Sequence, residues 1–177
     1  MNRSDALGEH YLRTVRDAFA SEKQLAEGAL EQLRDDELDW TPDPESNSVA
    51  VLIKHLHGNM RSRWRDFLTS DGEKPDRQRN EEFVAEQPGR KLLMARWEEG
   101  WQTLFDALDK LTPADLMKSV TIRGKEHSVI EAIERQLWHY ATHVGQILYI
   151  GKHLRGASWK SLSIPKTPSE RDTPETS

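Results

Sequence analysis

A chain of 177 residues is long enough for one well-buried core and short for two independent domains, so one domain is the working count. Only 36% of residues are hydrophobic and 31% are charged, which argues against a core of continuous apolar runs and favours amphipathic helices over buried parallel strands. The formal charge of -5 sets the whole-molecule field against nucleic acid and anionic lipid, and the absence of cysteine removes disulfides, thiolate metal ligands and an internal thiol nucleophile.

Apolar residues recur at three- and four-residue spacing from Ser4 to about Leu33, among them Leu7, Val15, Phe19, Leu25, Leu30 and Leu33, and predict a first long helix. Asp39 to Asn47 holds two prolines and several small polar residues and reads as a loop. Ser48 is then a good N-cap for a second helix reaching about Ser70, with Leu52, Ile53, Leu56, Met60, Trp64, Phe67 and Leu68 on its apolar face. The polar stretch from Asp71 to Arg90 is a long crossover in which Asn80, Glu81 and Glu82 could cap one short helical turn.

A third helix is predicted from about Lys91 to Lys110, with Leu92, Leu93, Trp97, Trp101, Leu104, Phe105 and Leu108 on one side. Thr112-Pro113-Ala114-Asp115 looks like a separate short helical start, and the β-branched residues around Arg123-Gly124 suggest a small hairpin between Ser119 and His127. The fourth helix is the clearest element: Ser128-Val129-Ile130-Glu131 forms a capping box and Gly156 supplies a stop. Beyond it Trp159, Leu162 and Ile164 are placed to pack back on the body, whereas residues 166–177 are proline-rich, polar and expected to be disordered. The whole predicts an all-α four-helix bundle over residues 1–165, with a long crossover between helices 2 and 3. No stretch approaches the roughly 20 apolar residues that span a bilayer, and the first ten residues lack the apolar core of a signal peptide. A cytoplasmic location is expected.

The seven histidines are not equivalent once placed on these helices. His139 and His143, four residues apart on the fourth helix, stack on one face, a spacing that lets two imidazoles meet one metal ion. Alone the pair is a weak motif, and a pair without any ligand explains it about equally well. The pair lies off the apolar centre and is flanked by Gln136 and Gln146, so it should border a cleft. A third ligand should come from the second helix, where pattern alone does not choose between His55 and His57. His57 is nearer the predicted apolar centre; His55 begins a strip with Asn59 and Arg63 along its border. An ordinary buried ion pair is the plainer reading of Arg63. The six tryptophans mostly fall at core spacing, with Trp40 and Trp159 as exceptions.

Several words of the sequence resemble the DinB-like superfamily of bacterial metal-binding proteins. They are Trp40-Thr41-Pro42, Ser46-Asn47-Ser48-Val49-Ala50, His55-Leu56-His57-Gly58-Asn59-Met60 and His139-Tyr140-Ala141-Thr142-His143-Val144-Gly145-Gln146-Ile147. The resemblance covers about residues 5–165 and implies His55, rather than His57, as the second-helix ligand, with His139 and His143 completing the set. It further implies zinc or nickel, a homodimer, and a small-molecule reaction in which the metal activates a low-molecular-weight thiol such as bacillithiol or mycothiol. A cysteine-free chain is compatible with a thiol brought in by a co-substrate. The same metal could instead activate water for hydrolysis. Asn59 and Arg63, one and two turns from His55, are candidate catalytic residues that could orient substrate or stabilise developing negative charge. The alternatives are a non-catalytic helical domain braced by a structural metal and a dimerising binding module.

Overall fold

Local capping starts the two helices that matter most for the histidines. In the computed structural model, which describes residues 3–164, Ser48 Oγ accepts the Val51 N–H at 3.2 Å and opens helix α2 (Val49–Trp64). Ser128 Oγ likewise accepts the Glu131 N–H at 3.2 Å while the Glu131 carboxylate accepts the Ser128 N–H at 2.7 Å, and this reciprocal box opens α4 (Val129–Arg155). Gly156, at φ +52°, ends α4 as expected. The other long helices are α1 (Arg3–Leu30) and α3 (Gly89–Leu108). A two-stranded antiparallel hairpin, β1 (Ser119–Ile122) and β2 (Lys125–Ser128), pairs Ser119 with Ser128 and leads directly into α4. The described chain is thus mostly helical with one small sheet, and no described helix is long and apolar enough to cross a membrane.

Two helix ends differ from the periodic pattern. α2 stops at Trp64 rather than near Ser70, because Arg65 turns extended and Asp66 adopts φ +49°. Its carbonyl then accepts the Thr69 and Ser70 N–H groups in a tight turn that still packs Phe67 and Leu68 against the core. α1 likewise ends three residues before Leu33, which remains buried in the turn that follows. The expected short helical starts at Pro113–Asp115 and around Glu81 are single 3-10 turns. The hairpin turn has positive φ at both Arg123 (+54°) and Gly124 (+71°), the combination a two-residue primed turn requires. Asp71 fastens the crossover to this turn by accepting the Arg123 N–H at 2.8 Å and the Gly124 N–H at 2.7 Å.

α2 packs on α3 and on α4, and α1 packs on α4 and on α3, around one core. Each helix contributes large aromatic side chains to its centre, Phe19 from α1, Trp64 from α2, Trp97 and Trp101 from α3 and Tyr140 from α4. Phe19 meets Trp64 edge-on at 6.0 Å between ring centroids and Tyr140 at 5.9 Å, and Trp101 meets Tyr140 at 6.0 Å. The polar ends of these rings are also paired: Trp64 Nε1 donates to the Tyr140 hydroxyl at 3.0 Å, which donates to Asn59 Oδ1 at 3.0 Å. Trp159 and Leu162 fold back as expected, Trp159 against Gly151 and Leu162 against Gly28. Ile164 does not: it is 91% exposed. Leu7, Leu92 and Trp138 also face outward although the apolar spacing counted them with the core. The disorder expected of residues 166–177 lies outside the described residues.

Replacing Tyr140 by Phe should cost roughly 2–3 kcal/mol in urea unfolding, because Trp64 Nε1 and Asn59 both lose a buried partner. A change within about 0.5 kcal/mol, the range of an ordinary surface substitution, would contradict this account of the core.

Candidate metal centre

The α2–α4 contact brings three imidazoles from two helices together. His55, on α2, is 4% exposed, and His139 and His143 stand one turn apart on α4, both half-buried. One ligand atom from each lies within 4.8 Å of the other two. His139 Nε2 stands 3.2 Å from His55 Nε2 and 3.1 Å from His143 Nε2. Two imidazole nitrogens on one divalent ion, each about 2.0–2.1 Å from it at tetrahedral or octahedral angles, stand about 2.8–3.4 Å apart. Both spacings fall in that interval.

Hydrogen bonds behind the rings fix which nitrogen faces inward. His55 Nδ1 lies 2.9 Å from Glu82 Oε2, and a carboxylate there requires Nδ1 to carry the proton, leaving the Nε2 lone pair free. His143 Nδ1 lies 2.9 Å from Gln146 Oε1 and is assigned the same tautomer. Two inward-facing lone pairs thus flank His139 Nε2, whose single proton could satisfy only one of them. A cation at the centre satisfies all three. Burial, together with the neighbouring His143, His55, Arg63 and Arg77, pushes His139 down to about 3, so it is a neutral donor at ordinary pH. Burial also lowers His143, outweighing its bond to Gln146. Three imidazole nitrogens at coordination spacing could hold a metal ion.

Glu82 is the least anticipated member of this arrangement. It comes from the crossover, on the 3-10 turn Arg79–Phe83, and is buried. Burial alone would raise its pKa, but Arg77 and His55 outweigh burial and hold the carboxyl below its ordinary value. Arg77 grips it with Nε at 2.7 Å and Nη2 at 2.8 Å. Glu82 passes so close to α2 that a Cβ at Gly58 would collide with its carboxylate, which gives that glycine a physical reason. Neither Glu82 nor Arg77 was identified from the sequence. The available signal was Phe83, an aromatic within a polar stretch, which lies against His55 at 4.6 Å between ring centroids.

The structure separates the two second-helix candidates. His57 is directed toward α3, with Nε2 3.0 Å from Glu99, and is not in the cluster. Its position nearer the apolar centre was misleading because α3 covers one side of α2 and the crossover another, so that burial on α2 is not a single stripe. Asn59 and Arg63 both line the cavity beside the triad. Asn59 accepts the Tyr140 hydroxyl, and Arg63 pairs with Glu73 at 2.9 Å and donates to the Gly72 carbonyl. The plain ion-pair reading of Arg63 therefore holds alongside its place on the cavity wall. Trp40 stacks on His153 at 5.1 Å, away from the triad.

The family described as "Protein of unknown function (DUF1572)" matches residues 6–168. The chain belongs to this family. The DUF1572 match spans all three histidines, Glu82 and the helices that carry them. No curated protein matches the chain.

For this DUF1572 member, Glu82→Gln should weaken zinc binding about 10–100-fold in competition with a chromophoric chelator, because the carboxylate orients the His55 ring. Gly58→Ala, which pushes Glu82 away, should act in the same direction. Unchanged affinity in both variants would remove Glu82 from the site.

Proposed function

We propose that this chain is a DinB-like metal-dependent enzyme that acts on a small molecule, with zinc or nickel held by His55, His139 and His143. The observation that carries the reading is that the triad lines a cavity of about 260 Å³ instead of being sealed in the core. A structural ion needs no such opening, whereas a catalytic one keeps a side free for substrate. Bound there, a divalent ion supplies Lewis acidity that acidifies a thiol or water ligand.

The remaining roles belong to the chain. Glu82 and Gln146 keep the His55 and His143 rings in the tautomer that offers Nε2. Asn59 and Arg63 stand on the wall where they can orient a substrate, with Arg63 held in place by Glu73. Phe83 and Trp138 give the cavity two aromatic surfaces. No cysteine is present, so thiol chemistry requires a low-molecular-weight thiol as co-substrate. The resemblance to DinB-like proteins supports a four-helix bundle over residues 1–165, a homodimer and a cytoplasmic setting, and it favours thiol transfer over hydrolysis.

The test supplies metal-loaded protein with bacillithiol, mycothiol or glutathione and a small electrophile, and separately with activated esters and amides. Metal-dependent turnover that disappears in His143→Ala, with the melting temperature of the metal-free protein unchanged, is the expected result. Loss of stability on metal removal with no turnover on any substrate would favour a structural ion and overturn the enzymatic reading.

A further inference from the structure

The wall around the three histidines carries charge of one sign. Five arginines line the cavity, Arg63, Arg77, Arg79, Arg123 and Arg135, and no carboxylate does. This is a concentrated positive surface in a chain whose formal charge is -5. Behind the wall, two carboxylates serve it: Glu73 pairs with Arg63, Arg77 and Arg123, and Glu82 with Arg77. Five guanidinium groups against two carboxylates leave three positive charges before any metal ion is counted. Like charges at this density repel one another unless something negative lies among them.

The arginines also differ in how they are held. Arg63 and Arg77 are fixed by ion pairs from below. Arg79 has the Phe83 ring beneath its guanidinium at 5.0 Å, and Arg135 makes no hydrogen bond or ion pair among the described residues. They come from different elements, Arg79 from the crossover and Arg135 from α4. Arg63 adds a second, independent sign: it is 4% exposed, lines the same cavity, and its Nε–H has no partner among the described residues. A buried guanidinium N–H without a partner is costly unless an acceptor meets it.

We infer that this cavity takes a small oxyanion, a carboxylate or phosphate group of a compact metabolite, gripped between Arg79 and Arg135 and met from within by Arg63. The all-arginine lining suits planar, two-pronged recognition of such a group better than lysine would. A volume of about 260 Å³ lies just below the usual range for drug-sized ligands and excludes a polymer. This inference rests on the proposed metal site only for what lies at the inner end of the bound molecule; the anion grip itself belongs to the arginines.

The test follows the indole N–H signal of Trp138, a cavity residue that is 73% exposed, by NMR while the full chain is titrated at constant ionic strength. The probes are inorganic phosphate, succinate and the neutral succinamide, and zinc content is measured on the same samples. Saturation by phosphate or by succinate, but not by succinamide, is expected, and whichever acts identifies the head group. In Arg79→Gln/Arg135→Gln the apparent dissociation constant should rise about tenfold or more, a change corresponding to loss of one good charge-assisted contact. Arg13→Gln/Lys91→Gln, which removes the same charge outside the cavity, should leave it unchanged. If the zinc-containing protein shows no saturation with either anion, or if both double variants weaken binding equally, the inference is overturned while the metal site stands. Saturation in a protein that takes up no zinc would uphold the anion grip and remove the metal from the account.

Discussion

The contact between α2 and α4 is the constraint on which the site depends, and a buried hydrogen-bonded relay fixes it. Trp64, Tyr140 and Asn59 join the two helices through two bonds of 3.0 Å inside the aromatic core. Asn59 is one turn from His55, and Tyr140 follows His139 directly, so the relay sets the helices' relative height where the imidazoles meet. A slip of one residue along either helix would leave the tyrosine hydroxyl, the indole N–H and the asparagine unpaired in a place water does not reach. Core packing and ligand geometry are therefore two faces of one arrangement.

The crossover between α2 and α3 completes what the helices begin. It brings Glu82 under His55, Arg77 onto Glu82 and Glu73 against Arg63, a chain of alternating charge from the histidine cluster to the hairpin. Asp71 anchors the same segment to the turn that carries Arg123. A buried carboxylate this close to a histidine would be costly in isolation; Arg77 and Gly58 make it possible, one by charge and the other by leaving room. The consequence is a histidine cluster backed by a paired carboxylate and a mouth lined by arginines.

Much of this was legible where the determinants are local. The capping box of Ser128 and Glu131, the primed turn at Arg123-Gly124 and the edge-on approach of His139 to His143 each follow from residues a few positions apart. The choice between His55 and His57 was not legible from periodicity. Twelve of the sixteen residues of α2 are buried, since three neighbours cover it, and a helix buried almost all round has no single apolar face to read. Only the family resemblance chose His55. The end of α2 at Trp64 depends on a left-handed Asp66 that no standard stop signal marks. Glu82 and Arg77 lay in a stretch whose polarity reads as solvent-exposed loop, and their burial arises from tertiary contacts 27 residues along the chain from His55.

Elemental analysis decides whether His55, His139 and His143 hold one divalent metal ion. Protein purified without an affinity tag or chelator is compared with the His139→Ala/His143→Ala variant. Close to one zinc or nickel per wild-type chain, with none retained by the variant, is the expected result. Wild-type protein that stays metal-free after reconstitution with zinc, nickel and manganese would contradict it.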